Sequence, residues 1–148
     1  MVSTGMRPDA SEVYRRYLGA VMLHGHASAK VCGLGATDLY ALNLLELAGP
    51  MTPGELSTRA GLTSGPTTRL IDRLERAGYV RRGPAPDDRR KVIVELVAKP
   101  AGLDEVMAPA RRMIANILAG YSPDQLEVLF DYFVRATDAY QEATASIT

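Results

Sequence analysis

The sequence predicts a mainly α chain with one small β-hairpin, an α+β fold class, and three features carry that expectation. Six segments read as helical, with apolar residues at helical spacing in the longer ones. Gly and Pro mark the gaps between them. Only residues 79–97 contain runs suited to paired strands.

Residues 1–9 read as a frayed start, and residues 10–33 as a first helix ending near Gly33 and Gly35. A second runs from Thr37 to Ala48 and stops at Gly49-Pro50. Leu39, Tyr40, Leu42, Leu44, Leu45 and Leu47 lie almost all round it, which predicts a buried helix. Thr52-Pro53-Gly54-Glu55 combines a Thr cap, Pro at the first helical position and Glu three residues after the cap. It opens a short helix that Gly61 ends. Thr63 or Ser64 caps a fourth helix running to about Ala77, with Leu70, Ile71 and Leu74 as its inward stripe. Pro66 falls in its first turn, where a missing N–H costs little.

Gly78 stops that helix, and residues 79–82 read as a short strand. Residues 83–88, with two Pro and two Asp, form a loop. Val92 to Val97 is the second strand: Val92, Val94 and Leu96 share one face, and Ile93, Glu95 and Val97 the other. Helical spacing returns over residues 101–120. Ser122-Pro123-Asp124-Gln125 then opens a last helix with Leu126, Leu129, Phe130, Phe133 and Tyr140 on one stripe.

The middle of this order, helix-turn-helix followed by a hairpin, is a winged helix-turn-helix. The outer helices are long, apolar on one face and without a further sheet to cover, and burial against a second copy would resolve that. Residues 37–99 are therefore assigned to a DNA-binding winged domain, and residues 10–36 and 100–148 to a helical dimerisation region.

Charge supports the division. The chain is neutral overall, which alone argues against nucleic acid. Between Arg59 and Lys91, however, nine basic residues face four acidic ones, a local balance of +5 offset by −5 elsewhere. A basic middle suits a protein that meets DNA with one segment. Apolar residues make up 47% of the chain, enough for a real core. The single cysteine, Cys32, excludes an intramolecular disulfide framework and a multi-cysteine zinc site, and a reducing cytoplasm is the expected setting. No signal peptide and no membrane span are read.

A recognition helix must present its N-terminal turn to base edges. Here that turn offers Ser64, Gly65, Thr67, Thr68 and Arg69, small hydrogen-bonding residues followed by a cation, with Arg73 one turn further. Arg89, Arg90 and Lys91 at the hairpin tip suit the minor groove, where negative potential concentrates. Of the two acids beside them, Asp88 is the candidate for orienting an Arg by an ion pair. Asp72 and Arg76 fit an i,i+4 surface pair.

The run from Thr37 to Leu96, above all "TRLIDRLERAGYVRR" and "DDRRKVIVEL", resembles the MarR family of winged-helix regulators. The resemblance implies a homodimer built by the flanking helices, a recognition helix in the major groove and a wing Arg in the minor groove. Asp88 and Arg90 match the family's Asp-x-Arg wing motif. It implies repression of transcription at a near-palindromic operator in double-stranded DNA. Relatives bind small aromatic or lipophilic effectors, for which Tyr14, Tyr17, His24, Tyr40 and Met107 are the candidate lining here. Some sense oxidants through a thiol, which brings Cys32 into view. Two departures stand out. Pro66 and Thr67 occupy positions where the family more often has Thr then Val, which would alter the base-reading face, and residues 96–100 lack its usual Leu-Thr and following Gly.

Two other classes compete. A winged helix can serve as a protein-interaction module, though Arg89, Arg90 and Lys91 beside a Ser/Thr-rich helix start have little use there. An enzyme is not expected: no zincin motif, phosphate loop, nucleophile elbow or Cys/His pair is present. His24 and His26 point to different helix faces and lack companion ligands, so no metal or other cofactor is expected.

Overall fold

A computed structural model describes residues 7–148, so most of the predicted frayed start lies outside the described residues. Six helices and one antiparallel hairpin follow in the order α1 (Ala10–Val31), α2 (Ala36–Ala48), α3 (Pro53–Ala60), α4 (Ser64–Arg76), β1 (Val80–Pro84), β2 (Val92–Leu96), α5 (Leu103–Leu118) and α6 (Pro123–Ala145). The chain divides into two compact units, the first ending at Val106 and the second running Met107–Thr148.

Both capping boxes form. Thr52 Oγ1 accepts from the Glu55 N–H at 3.1 Å while the Glu55 carboxylate accepts from the Thr52 N–H at 2.8 Å. Ser122 and Gln125 do the same at the start of α6. These reciprocal bonds satisfy N–H groups that a helix start otherwise leaves open. Thr63, not Ser64, is the residue before α4.

Gly61 adopts φ 67° and closes α3, and the Leu62 N–H reaches back to the Ser57 carbonyl at 3.0 Å. The Ser57 hydroxyl donates to the Leu62 carbonyl, so the turn between α3 and α4 is bonded in both directions. Gly78, at φ 83°, ends α4 similarly, with the Tyr79 N–H on the Leu74 carbonyl.

The hairpin pairs Val80 with Leu96 and Pro84 with Val92. β1 thus extends two residues into the expected loop, and its last residue, Pro84, is accommodated because β1 is an edge strand. Met51 adds a one-residue third strand on the other edge of β2, exchanging both backbone bonds with Val94. The core gathers Leu42, Leu45, Met51, Leu56, Leu70, Ile71, Leu74, Val80 and Val94 from α2, the α2–α3 connection, α3, α4 and the hairpin.

α2 corrects one expectation. Ala41, Leu42 and Leu45 are buried, but Leu47 is 77% exposed and Tyr40 48%. One face of α2 packs inward with Leu44 half-buried against the same core, Leu39 is half-buried, and Leu47 and Tyr40 meet solvent. α1 belongs to the first unit, where it packs on α2 through buried Ser28 and Ala29. No residue of α5 or α6 is buried, although Met113, Ile114 and Ile117 of α5 and Val128, Phe130 and Phe133 of α6 are large and apolar. Among the described residues no single helix is long and apolar enough to cross a membrane; α1 and α2 pass on composition only when joined, and they meet at a bend of 97°.

Candidate nucleic-acid interface

Two segments of the first unit carry the interface predicted from sequence. The first is the opening turn of α4. Ser64, Gly65, Thr68 and Arg69 are exposed there. The Thr68 hydroxyl donates to the Ser64 carbonyl at 3.0 Å, which leaves its oxygen able to accept. A Cβ built on Gly65 would lie 3.6 Å from Arg69 Nη1, so the guanidinium lies back along the first turn, over the glycine.

Thr67 does not belong to this face. It is 1% exposed, and its hydroxyl donates to the Thr63 carbonyl at 2.8 Å. Its place three residues before Leu70 and seven before Leu74 puts it on the buried stripe, so Thr67 leaves the set of DNA-facing side chains. The family departure at this position is therefore a change inside the core. A shape close to Val is kept, with the hydroxyl satisfied within the helix.

Arg73 is likewise not free. Its guanidinium donates to Asp38 Oδ1 at 2.7 Å.

The second segment is the wing, residues 85–91, between β1 and β2. The Ala85 N–H donates to the Lys91 carbonyl at 2.9 Å and the Lys91 N–H to the Asp88 carbonyl at 3.1 Å. Asp88 Oδ1 accepts from the Arg90 main-chain N–H at 3.0 Å. Asp88 thus shapes the tip through the backbone, a turn in which a carboxylate holds the N–H two residues on. The expected ion pair to an Arg side chain is replaced by this bond, and the Arg90 guanidinium stays outside it.

The basic residues of 59–91 sort into two groups. Arg73, Arg81 and Arg82 are held by carboxylates: Arg81 by Glu95 directly across the hairpin, Arg82 by Asp72 at 2.7 Å and Glu75 at 3.0 Å. Asp72 therefore pairs with the strand and not with Arg76, as sequence spacing suggested. Among the described residues no carboxylate pairs with Arg59, Arg69, Arg76, Arg89, Arg90 or Lys91. The positive charge left for a polyanion thus lies on the α3–α4 pair and on the wing.

Arg82 also ties β1 to α4, and Glu75 accepts its main-chain N–H at 2.9 Å. That bond is the largest cause of a lowered Glu75 pKa. It outweighs the opposing effect of desolvation, and the guanidinium adds to it. A carboxylate lowered in the folded state gives stability that is present above its unfolded pKa and lost as pH falls through the folded one. Thermal unfolding from pH 6 down to pH 3 should show Tm of wild type falling more steeply below about pH 4.3 than that of Glu75→Gln. Equal slopes would show the bond to be without weight.

The candidate effector residues lie on three helices, α1, α2 and α5. Tyr14 and His24 are half-buried on α1, Tyr17 and Tyr40 are about half exposed, and Met107 stands in the second unit. His24 Nδ1 lies 3.0 Å from Ser28 Oγ. An open groove of about 640 Å³ on the second unit, lined by Tyr121, Asp124, Gln125, Val128, Leu129 and Tyr132, contains none of the five. Cys32 is half-buried at the end of α1. Among the described residues no three His, Cys, Asp or Glu cluster in a manner to hold a metal ion.

The sequence reading missed Asp38, the Arg82 clamp and the Met51 strand. Only Asp38 left a local trace, as an acid in the first turn of α2.

Comparison with known proteins agrees with this geometry. The MarR family model matches residues 33–91. An uncharacterised HTH-type transcriptional regulator of Bacillus subtilis, YcgE, is 37% identical over 138 residues, covering 93% of this chain and 90% of its own. The structure of a MarR family protein from Bacillus stearothermophilus matches with TM-score 0.65 and 29% identity over 95% of this chain and 99% of that one. A mutant MarR from E. coli, solved in complex with operator DNA, shares the fold at TM-score 0.56 and 20% identity, covering 88% and 94% of the two chains.

Proposed function

Because the chain belongs to the MarR family of DNA-binding transcriptional regulators, we propose that it binds a near-palindromic operator as a homodimer and represses transcription until a small aromatic or lipophilic effector releases it. The observation that carries the reading is the sorting of its cations. Arg69 at the start of α4 and Arg89, Arg90 and Lys91 on the wing have no carboxylate partner among the described residues, while neighbouring arginines do.

In this reading α4 enters the major groove with Ser64, Gly65, Thr68 and Arg69 toward the bases, and the wing reaches the minor groove. The exposed apolar residues of α5 and α6 support a second copy as their cover. Two-fold symmetry then sets half-sites about 10 bp apart. Tyr14, Tyr17, His24 and Tyr40 supply phenol and imidazole groups on α1 and α2 for an effector, which releases DNA only by binding the DNA-incompetent shape more tightly. The proposed setting is the cytoplasm.

The test is fluorescence anisotropy of the full chain with labelled duplex from its own upstream region and a scrambled duplex, each titrated in salt. Expected is a Kd of about 10 nM or tighter for the upstream duplex and binding weaker by about a thousandfold or more for the scrambled one. The log–log salt slope should correspond to several phosphates, at about −0.9 each. Weak binding indifferent to sequence and nearly flat in salt would instead favour a protein-interaction module.

A further inference from the structure

Arg73 lies one turn beyond the reading turn of α4, where a cation is expected to grip DNA. Its guanidinium is instead held by Asp38, thirty-five residues away in sequence, at 2.7 Å. The Asp38 side chain is only 9% exposed, and its other oxygen accepts from the Gly35 N–H at 3.4 Å. One carboxylate therefore touches both the turn that opens α2 and the middle of α4. We propose that Asp38 is a positioning residue for DNA recognition: the Asp38–Arg73 pair sets the angle at which α4 presents its first turn, so that Arg73 acts through Asp38 and not on a phosphate. This rests on the reading of α4 as the base-reading helix.

Two physical arguments favour the pair over a phosphate contact. Arg73 is 53% exposed, so a phosphate could compete for it. But a guanidinium that left would strand a carboxylate in a nearly closed site, where an uncompensated charge is costly. A phosphate on the DNA surface keeps its water and counterions and loses less by going without. The second argument is leverage. Arg73 lies four to nine residues from the reading turn, roughly 6–13 Å along the helix at 1.5 Å per residue. A small rotation about that anchor shifts Ser64, Gly65, Thr68 and Arg69 together, and base contacts tolerate only small misplacement.

The experiment uses the full chain and the same two duplexes, with Asp38→Asn, Arg73→Gln and the double variant. All are measured at a temperature where circular dichroism shows each fully folded. Expected for Asp38→Asn is an affinity about tenfold lower for the upstream duplex, the worth of one base contact, with the scrambled duplex bound as before and the salt slope unchanged. Arg73→Gln should also keep its salt slope, and the double variant should bind no worse than Arg73→Gln alone. The proposal is overturned if Arg73→Gln flattens the slope by about 0.9 on both duplexes while Asp38→Asn is neutral, because Arg73 is then a phosphate contact. It is equally overturned if Asp38→Asn lowers Tm yet leaves the upstream-to-scrambled ratio intact, because the pair then serves stability alone. A wild-type chain that does not discriminate between the duplexes removes the operator reading itself and this inference with it, a failure visible before any variant is made.

Discussion

Leu74→Ala is expected to cost about 3 kcal/mol of folding free energy, within the range for truncating a buried leucine. Leu74 is 1% exposed and belongs to the cluster joining α4 to α2 and the hairpin. The loss has two parts, the transfer free energy of the removed methyl groups and the cavity left among neighbours from three elements that cannot all close in. For a chain whose total stability is of order 5–15 kcal/mol this is a large fraction. Urea unfolding should show the midpoint falling by roughly 1–3 M with the slope unchanged. Leu47→Ala is the internal control. Leu47 is 77% exposed, and its truncation should move stability by no more than about 0.5 kcal/mol. The sequence put both leucines in buried helix faces, so a Leu47→Ala loss as large as that of Leu74→Ala would reinstate α2 as a helix buried all round.

What could be read without the structure was what is local. Thr52 with Glu55 and Ser122 with Gln125 form as expected, because a capping box needs only four consecutive residues. Gly61 and Gly78 stop their helices for an equally local reason, a positive φ. Long-range choices were hidden. Nothing in the sequence separates Arg73, Arg81 and Arg82, which are held, from Arg69, Arg89 and Arg90, which are not, because each carboxylate partner is chosen by packing. Met51 pairs with Val94 as a single residue, too short for alternation to announce it. Thr67 is different: the signal was present in its spacing to Leu70 and Leu74, and the pull of its hydroxyl toward a DNA role overrode it. For α2, composition gave apolar residues all round, but composition does not say how many faces find a partner.

Arg90→Ala should weaken binding to the upstream duplex by about tenfold to a hundredfold, the range of one specific contact. Arg90 is exposed and without an ion-pair partner among the described residues, while its main-chain N–H is fixed by Asp88 and the loop is closed by the Ala85–Lys91 bond. The tip is thus shaped before DNA arrives, which reduces the ordering entropy that binding must overcome. Arg90→Lys should recover only part of the loss, since an ammonium is more strongly hydrated and lacks the planar fork. Asp88→Ala separates shape from charge. It removes a negative charge beside the cations, which by itself favours a polyanion on any sequence. It also frees the Arg90 backbone, which disfavours the specific complex. If preorganisation dominates, Asp88→Ala binds the scrambled duplex no worse, or slightly better, but the upstream duplex several-fold more weakly. Tighter binding to both duplexes in anisotropy would mean that Asp88 acts on the wing only as an unfavourable charge.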